Sequence, residues 1–321
     1  MKTKFSSMLG IEYPVIQGGL QWLATAEFCA AVSNQGALGM INATIHEDKE
    51  SLKKEIAKTR ELTGKPFGVN ISMLPHGDDK LIGQYMQAVI EEKVPVVETS
   101  GRSPEAWIAD LKEAGIKIIH KVPAVRFALK AQQVGVDAVT LVGYECGGHP
   151  GPDNVATLPM LSRAMQELSI PVIAGGGIGC GNGLAAALSM GAQAVVMGTR
   201  FVATQECPIH KNFKDWIVRS KETDTMLIMQ SLRNPMRVLR NPAAEKVAQM
   251  ERAGAGLNEL MPIISGKINR QKWMDGDIEG SIFTIGQIVG MITSILPVQE
   301  LMQQIKLEAQ TSIAGLTQGH T

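Results

Sequence analysis

The sequence predicts an α/β protein, a (β/α)8 TIM barrel with a smaller helical insertion, and three observations predict it. Short apolar runs alternate with longer helical stretches at roughly 20- to 30-residue spacing, the rhythm of a repeated βα unit. Most of these runs are continuously apolar rather than alternating, as strands covered on both faces must be. The last two runs, PVIA and AVVM, each end in a small, glycine-rich turn within VIAGGGIGCGNGLAAALSMGAQAVVMGTRF. Glycine lets the backbone approach an anion, and a helix starting at such a turn would present unpaired N–H groups to it. Paired turns of this kind resemble the phosphate site after the seventh and eighth strands of a TIM barrel.

The strands are expected at Pro14–Gln17, Ala37–Ile41, Phe67–Ile71, Pro95–Thr99, Lys117–Lys121, Ala138–Val142, Pro171–Ala174 and Ala194–Met197. Between them TAEFCAAVSNQG, KESLKKEIAKTRELTG, PEAWIADLKEAG and VRFALKAQQVG read as helices that stop at or near a glycine. A Rossmann fold would require GxGxxG after an early strand, and GGGIGCGNG follows the seventh run and fits that spacing in no register. After Phe201 the pattern changes. Residues 205–280 are richer in charge, methionine and helix formers, without further strand runs, and predict a helical cap. The nearly uncharged stretch from Ser281 to Val298 is about the minimum length of a membrane span. Its Gln287, two glycines and Pro297 favour a buried helix closing the barrel instead. The expected division is therefore 1–204 plus 281–321 for the barrel and 205–280 for the insertion. The 321 residues fit a barrel of ~250 residues with ~70 for elaboration.

With 31 basic and 31 acidic residues the formal net charge is zero, so no field for a polyanion is evident and nucleic acid is not an expected partner. The N-terminal segment lacks the apolar core and cleavage site of a signal peptide, which predicts a cytoplasmic protein that uses no membrane. Cys29, Cys146, Cys180 and Cys207 are scattered without a CxxC pair and are expected as reduced thiols. A homodimer is admissible, although no seam is visible.

Each expected strand ends in something small or polar at the same rim. Strand 1 runs into Gln17-Gly18-Gly19-Leu20-Gln21-Trp22, strand 3 reaches Asn70, and strand 5 ends in His120-Lys121. Strand 6 leads into GYECGGHPG, with Glu145, Cys146, Gly148 and His149. Any barrel needs tight turns, but five of them on one rim point to a ligand site. His149, between Gly148 and Pro150 in a loop of small residues, is the strongest candidate for proton exchange near neutral pH. Its bland alternative is a solvated loop histidine. Cys146 and His149 have C-x-x-H spacing, but no further ligands stand nearby at familiar spacing, so a metal is not expected. Lys121 could bind an anion or close a rim salt bridge. Cys207-Pro208-Ile209-His210 reads as structural punctuation opening the insertion.

QGGLQW, GVNIS, HKV, GYECGGHPG, AGGGI and MGTRFVATQECP together, along essentially the whole chain, resemble the nitronate monooxygenase family, formerly the 2-nitropropane dioxygenases. AGGGI and MGTRF alone would also fit inosine-monophosphate-dehydrogenase-like barrels, whose catalytic-cysteine loop is not found here. The resemblance implies FMN, with its phosphate on Gly176–Gly177 and Gly198–Thr199. Its ring would lie near Gly18, Gly19 and Gln21, with Asn70 and Lys121 close by. Gly148 would join the cofactor site, and His149 would take the family's catalytic histidine position.

Oxidation of alkyl nitronates by O2 is the first activity this implies. NAD(P)H:quinone reduction through the flavin is a close alternative, because QGGLQW, SMLPHGDD, ECGGHPG and SLRNPMRV resemble family members with that activity. FMN-dependent enoyl-acyl-carrier-protein reduction fits less well, since nothing suggests a docking patch for an acidic carrier. A sensor of a phosphorylated metabolite is the non-enzymatic alternative, and it would not need His149.

Overall fold

The computed structural model describes residues 1–73 and 77–318 of the chain. Eight parallel strands form one sheet: β1 (Val15–Gln17), β2 (Gly39–Asn42), β3 (Phe67–Met73), β4 (Val96–Gly101), β5 (Lys117–Val122), β6 (Ala138–Val142), β7 (Val172–Gly175) and β8 (Ala194–Met197). β8 returns to pair with β1, and a parallel bridge between Ile16 and Leu38 joins β1 to β2. The sheet is a (β/α)8 barrel, as the run spacing predicts. Pro14, Pro95 and Pro171 each sit one residue before the strand expected to include them. A proline has no N–H for the ladder, so the pairing begins at the next residue.

Alternation sorts each strand into two faces. Val97, Ile118, Val139, Val172 and Val195 pack outward into the main core with the helices. Ile16, Met40, Val96, Ile119, Ala138, Ile173 and Ala194 fill the interior. Phe5 and Leu9, from a short helix over Lys4–Leu9, belong to that inner cluster and plug the bottom of the barrel. Two residues further along β2, β4, β5 and β6, the inward face turns polar, with Asn42, Glu98, Lys121 and Thr140. The apolar floor and the polar mouth are thus consecutive layers of the same strands.

The four helices expected from glycine stops form at Ala26–Asn34, Lys49–Leu62, Ile108–Glu113 and Val125–Val134. Gly36, Gly115 and Gly135 take left-handed backbone just after three of them, which ends those helices without strain. Glu105–Trp107 forms a separate 3-10 turn ahead of Ile108. The long C-terminal helix Val298–Gln318 packs on the helix Gly181–Ser189, so closely that a Cβ at Gly181 would meet its backbone.

Two expectations are corrected. Residues 281–298 do not form a helix: a 3-10 turn at Gln287–Met291 is flanked by extended chain. Glycines at 286 and 290 and the proline at 297 interrupt regular helical bonding, and Phe283, Ile285, Ile288, Val289 and Ile292 are buried in the main core instead. Among the described residues no helix is long and apolar enough to cross a membrane. Within 205–280, the stretch read as purely helical contains an antiparallel hairpin, β9 (Thr225–Ile228) and β10 (Met236–Leu239). TMLI and MRVL are short and each interrupted by methionine, so they give little strand signal. The hairpin and the helices Pro242–Arg252 and Leu257–Ile264 enclose a small core of their own, containing Ile228, Val238, Val247 and Leu260.

Candidate active site

The loop carrying His149 is held from two sides. The 3-10 segment supports its start: Gln287 N–H donates to the Glu145 carbonyl at 2.9 Å. A Cβ at Gly147 would come within 2.7 Å of the Gly286 nitrogen and the Ile285 carbonyl carbon, so only glycine fits there. The hairpin supports its end. Gly148, in left-handed backbone, exchanges two backbone hydrogen bonds with Arg237 at 3.1 and 2.7 Å. The buried Arg237 guanidinium donates from Nε and Nη2 to the Tyr144 carbonyl and from Nη1 to Thr225 Oγ1, and it stacks over the Tyr144 ring. The segment before β10 is itself braced by Glu251, which accepts from the Met229 and Ser231 N–H groups.

This brace fixes the chemistry of His149. Its Nδ1 lies 3.1 Å from the Pro235 carbonyl. A carbonyl oxygen only accepts, so Nδ1 carries the proton and, in the neutral ring, Nε2 keeps a lone pair. The ring is open to solvent by surface area, yet protein crowds it enough that desolvation lowers its pKa below the usual histidine value. Hydrogen bonds to Pro235 and Asn234 oppose that shift. The lowered pKa favours the uncharged ring, with Nε2 as the atom that can accept a proton. Cys146, by contrast, is buried, and desolvation pushes its thiol up to about 12. A Cys–His dyad with a thiolate nucleophile is not set up here.

In the mouth, Lys121 does close a salt bridge. Its Nζ lies 2.9 Å from Oε2 of Glu98, which also accepts from the Asn70 amide at 2.6 Å. Asn70 in turn accepts from Asn42 Nδ2, which also donates to the Gly19 carbonyl. A side chain at Gly19 would overlap Asn70, so Gly19 lets the strand-1 turn lie directly on this network. Gly18 N–H bonds to the Met197 carbonyl at 3.0 Å, which ties that turn to β8. The structure thus joins Gly18, Gly19, Asn70 and Lys121. Gln21 is exposed further out, beside Gly266.

At the two glycine turns the geometry differs from a helix starting on each. Gly176 and Gly177 both have left-handed backbone, and among the described residues no protein acceptor takes their N–H groups. The helix after them begins only at Gly181, whose N–H is taken by Glu308 at 2.7 Å. After β8, Thr199 does start a short helix with Gly198 as its cap. Its hydroxyl accepts from Gly286 N–H at 2.9 Å, leaving the O–H free to donate. Gly176, Gly177 and Thr199 therefore offer donors of the kind a phosphate needs.

Glu98, Thr140 and Arg237 are functional candidates the sequence reasoning missed. For Glu98 the usable signal is an acidic residue inside the otherwise apolar VVETS run. Oε1 of Glu98 and Oγ1 of Thr140 are buried and, among the described residues, unpartnered. Buried polar atoms without partners are costly, and two of them on the inward face of the mouth suit a polar, flat ligand lying over it. His210 accepts from Asn212 N–H and caps the helix Lys211–Arg219, a structural role.

His120 faces outward from β5, with its Nδ1 2.8 Å from Thr99 Oγ1. Burial drops its pKa from 6.5 to about 4. Between those values the unfolded chain binds a proton that the folded chain refuses, so stability is full above pH 6.5 and falls as the pH drops toward 4. Unfolding in urea at pH 7 and pH 5 should show a loss of ~2 kcal/mol from this group. His120→Gln should flatten that difference.

A probable nitronate monooxygenase of Staphylococcus aureus is 33% identical over 78% of this chain and 81% of its own length. The (3aS,4S,5R,7aS)-5-hydroxy-7a-methyl-1-oxo-octahydro-1H-indene-4-carboxyl-CoA dehydrogenase of Mycobacterium tuberculosis is 32% identical over 98% of this chain and 97% of its own length. Among solved structures, FabK of Thermotoga maritima superposes with a TM-score of 0.92, at 37% identity and 99% coverage of both chains. A nitroalkane oxidase of Streptomyces ansochromogenes shares the fold at 23% identity, with a TM-score of 0.84 over 96% of this chain and 99% of its own. The nitronate monooxygenase family model matches residues 2–308, and with these relatives it places the chain in the nitronate monooxygenase family.

Proposed function

We propose that the protein is an FMN-dependent oxidoreductase that oxidises alkyl nitronates with O2 to carbonyl compounds and nitrogen oxides. The observation that carries this reading is His149, held neutral with Nε2 as the accepting atom beside a mouth that offers the Lys121 ammonium and the Asn70 amide. A nitronate is an anion and a carbanion equivalent, so a cation and an amide donor suit its oxygens. Where the substrate arrives as the neutral nitroalkane, His149 Nε2 takes the α-proton. FMN, when bound, supplies the two-electron acceptor that the side chains lack. Gly176, Gly177, Gly198 and Thr199 would hold its phosphate, Gly18, Gly19 and Gly148 would let it lie close to the backbone, and Gln21 would border its ring.

The pH dependence follows from the direction of the His149 shift. With a neutral nitroalkane, kcat/KM should rise with pH through a value below the ordinary histidine pKa and then level off. With a preformed nitronate that limb should be absent, and finding it there would remove His149 as the base.

A second reading is favoured by length of match. FabK and the carboxyl-CoA dehydrogenase align with 98% or more of this chain, whereas the nitronate monooxygenase relatives cover 78%. These matches support hydride chemistry through the flavin, with NAD(P)H as donor; a quinone is the acceptor that the sequence motifs suggest, and an enoyl thioester is a further one. Anaerobic stopped-flow mixing with propionate 3-nitronate or NADH separates the two. Fast bleaching by the nitronate alone supports the first reading; fast bleaching by NADH, reversed by benzoquinone, supports the second. A colourless protein would defeat both.

A further inference from the structure

The Glu98–Lys121 pair is asymmetric across the mouth of the barrel. The carboxylate is fully buried, whereas 27% of the lysine side chain is accessible. Both residues lie on the inward face, two positions beyond Val96 and Ile119 of the apolar floor. The pair therefore stands on end, with its negative pole in the barrel and its positive pole toward the opening. Asn70 Nδ2 and Lys121 Nζ converge on the same oxygen of Glu98, so one carboxylate orients both donors. Its other oxygen has no partner among the described residues, which leaves the negative pole unscreened on that side.

We infer that Glu98 is a positioning residue that sets how readily the bound flavin is reduced, by fixing Lys121 and offsetting part of its charge. The inference rests on the reading that a flavin lies over the mouth. A ring that gains negative charge on reduction is stabilised by the nearer ammonium and destabilised by the more distant carboxylate. Little water reaches Glu98, so its charge is weakly screened. The carboxylate moderates the lysine, keeping the ring reducible by substrate without holding it reduced.

The test is the two-electron potential of the purified holoprotein, read as an equilibrium with a reference dye. Glu98→Gln keeps an acceptor for Lys121 but removes the charge. It should favour the reduced flavin by about tenfold, equivalent to ~30 mV toward positive potential. Glu98→Asp should return the value toward wild type. If Glu98→Gln fails to fold, the double variant Glu98→Gln, Lys121→Met removes both poles, and loss of the nearer positive one should shift the potential the other way. An equilibrium within twofold of wild type for Glu98→Gln, or for the double variant where Glu98→Gln does not fold, would overturn the inference. A wild-type protein that purifies without flavin would instead defeat the functional reading on which it stands.

Discussion

His149→Ala should purify yellow and folded, with kcat on a neutral nitroalkane reduced by on the order of 10²–10⁴-fold, the usual contribution of a positioned base. The side chain is solvent-accessible and is held by hydrogen bonds to Pro235 and Asn234 rather than by apolar packing, so its removal leaves no cavity in the buried cores. Flavin retention should be unchanged, because the donors assigned to the phosphate come from other loops. Two readouts give this prediction its content. The 450 nm absorbance per protein should match wild type, and the pH-dependent limb of kcat/KM should vanish with the imidazole. On a preformed nitronate the loss should be much smaller, since no proton has to leave carbon. An enzyme with unaltered turnover on both substrates would strip His149 of its role. A colourless variant would mean that the loop serves the cofactor instead.

Gly147→Ala should be nearly as damaging without touching a functional atom. The added methyl meets main-chain atoms of Ile285 and Gly286 at 2.7 Å, and a backbone cannot rotate away as a side chain can. Either the 145–149 loop or the 285–287 segment must move. Overpacking of this kind costs ~1–3 kcal/mol, and a shift of about 1 Å in a reacting group can cost ~10²-fold in rate. The expected result is a lowered melting temperature together with a kcat that falls far more than the fraction folded. Gly64→Ala serves as the control, because a Cβ there meets nothing within 4 Å. Equal activities of the two variants would show that the contact does not hold the loop.

The barrel was legible because its evidence is repeated. Eight apolar runs report the same architecture, and an error of two residues at β2 or β4 changes nothing about how they close. The rim positions could be placed for a related reason: Gly18 directly follows β1, Asn70 and Lys121 lie within β3 and β5, and His149 lies in the loop after β6, so locating the strands locates these residues. What stayed hidden depends on contacts far apart in the chain. Glu98 reads as an oddity within a strand until Lys121 and Asn70 are brought to it. Pro235 and Arg237 lie more than 80 positions from His149 in a hairpin whose strands are short and methionine-rich. The helix expected at 281–298 fails because apolar content reports burial, and extended chain pressed on a barrel satisfies it as well as a helix does.

The bridge between Gly148 and Arg237 ties proton chemistry to a part of the chain with its own small core. Regions of this kind open locally at less free energy than global unfolding. When β10 lifts, Pro235 leaves Nδ1 and the loop loses two amide bonds at once. The imidazole then regains both tautomers and a solvent-like basicity. Hydrogen exchange at the amides of Gly148 and Arg237 should consequently share one opening rate, and that rate would measure how often the base is out of register with its substrate.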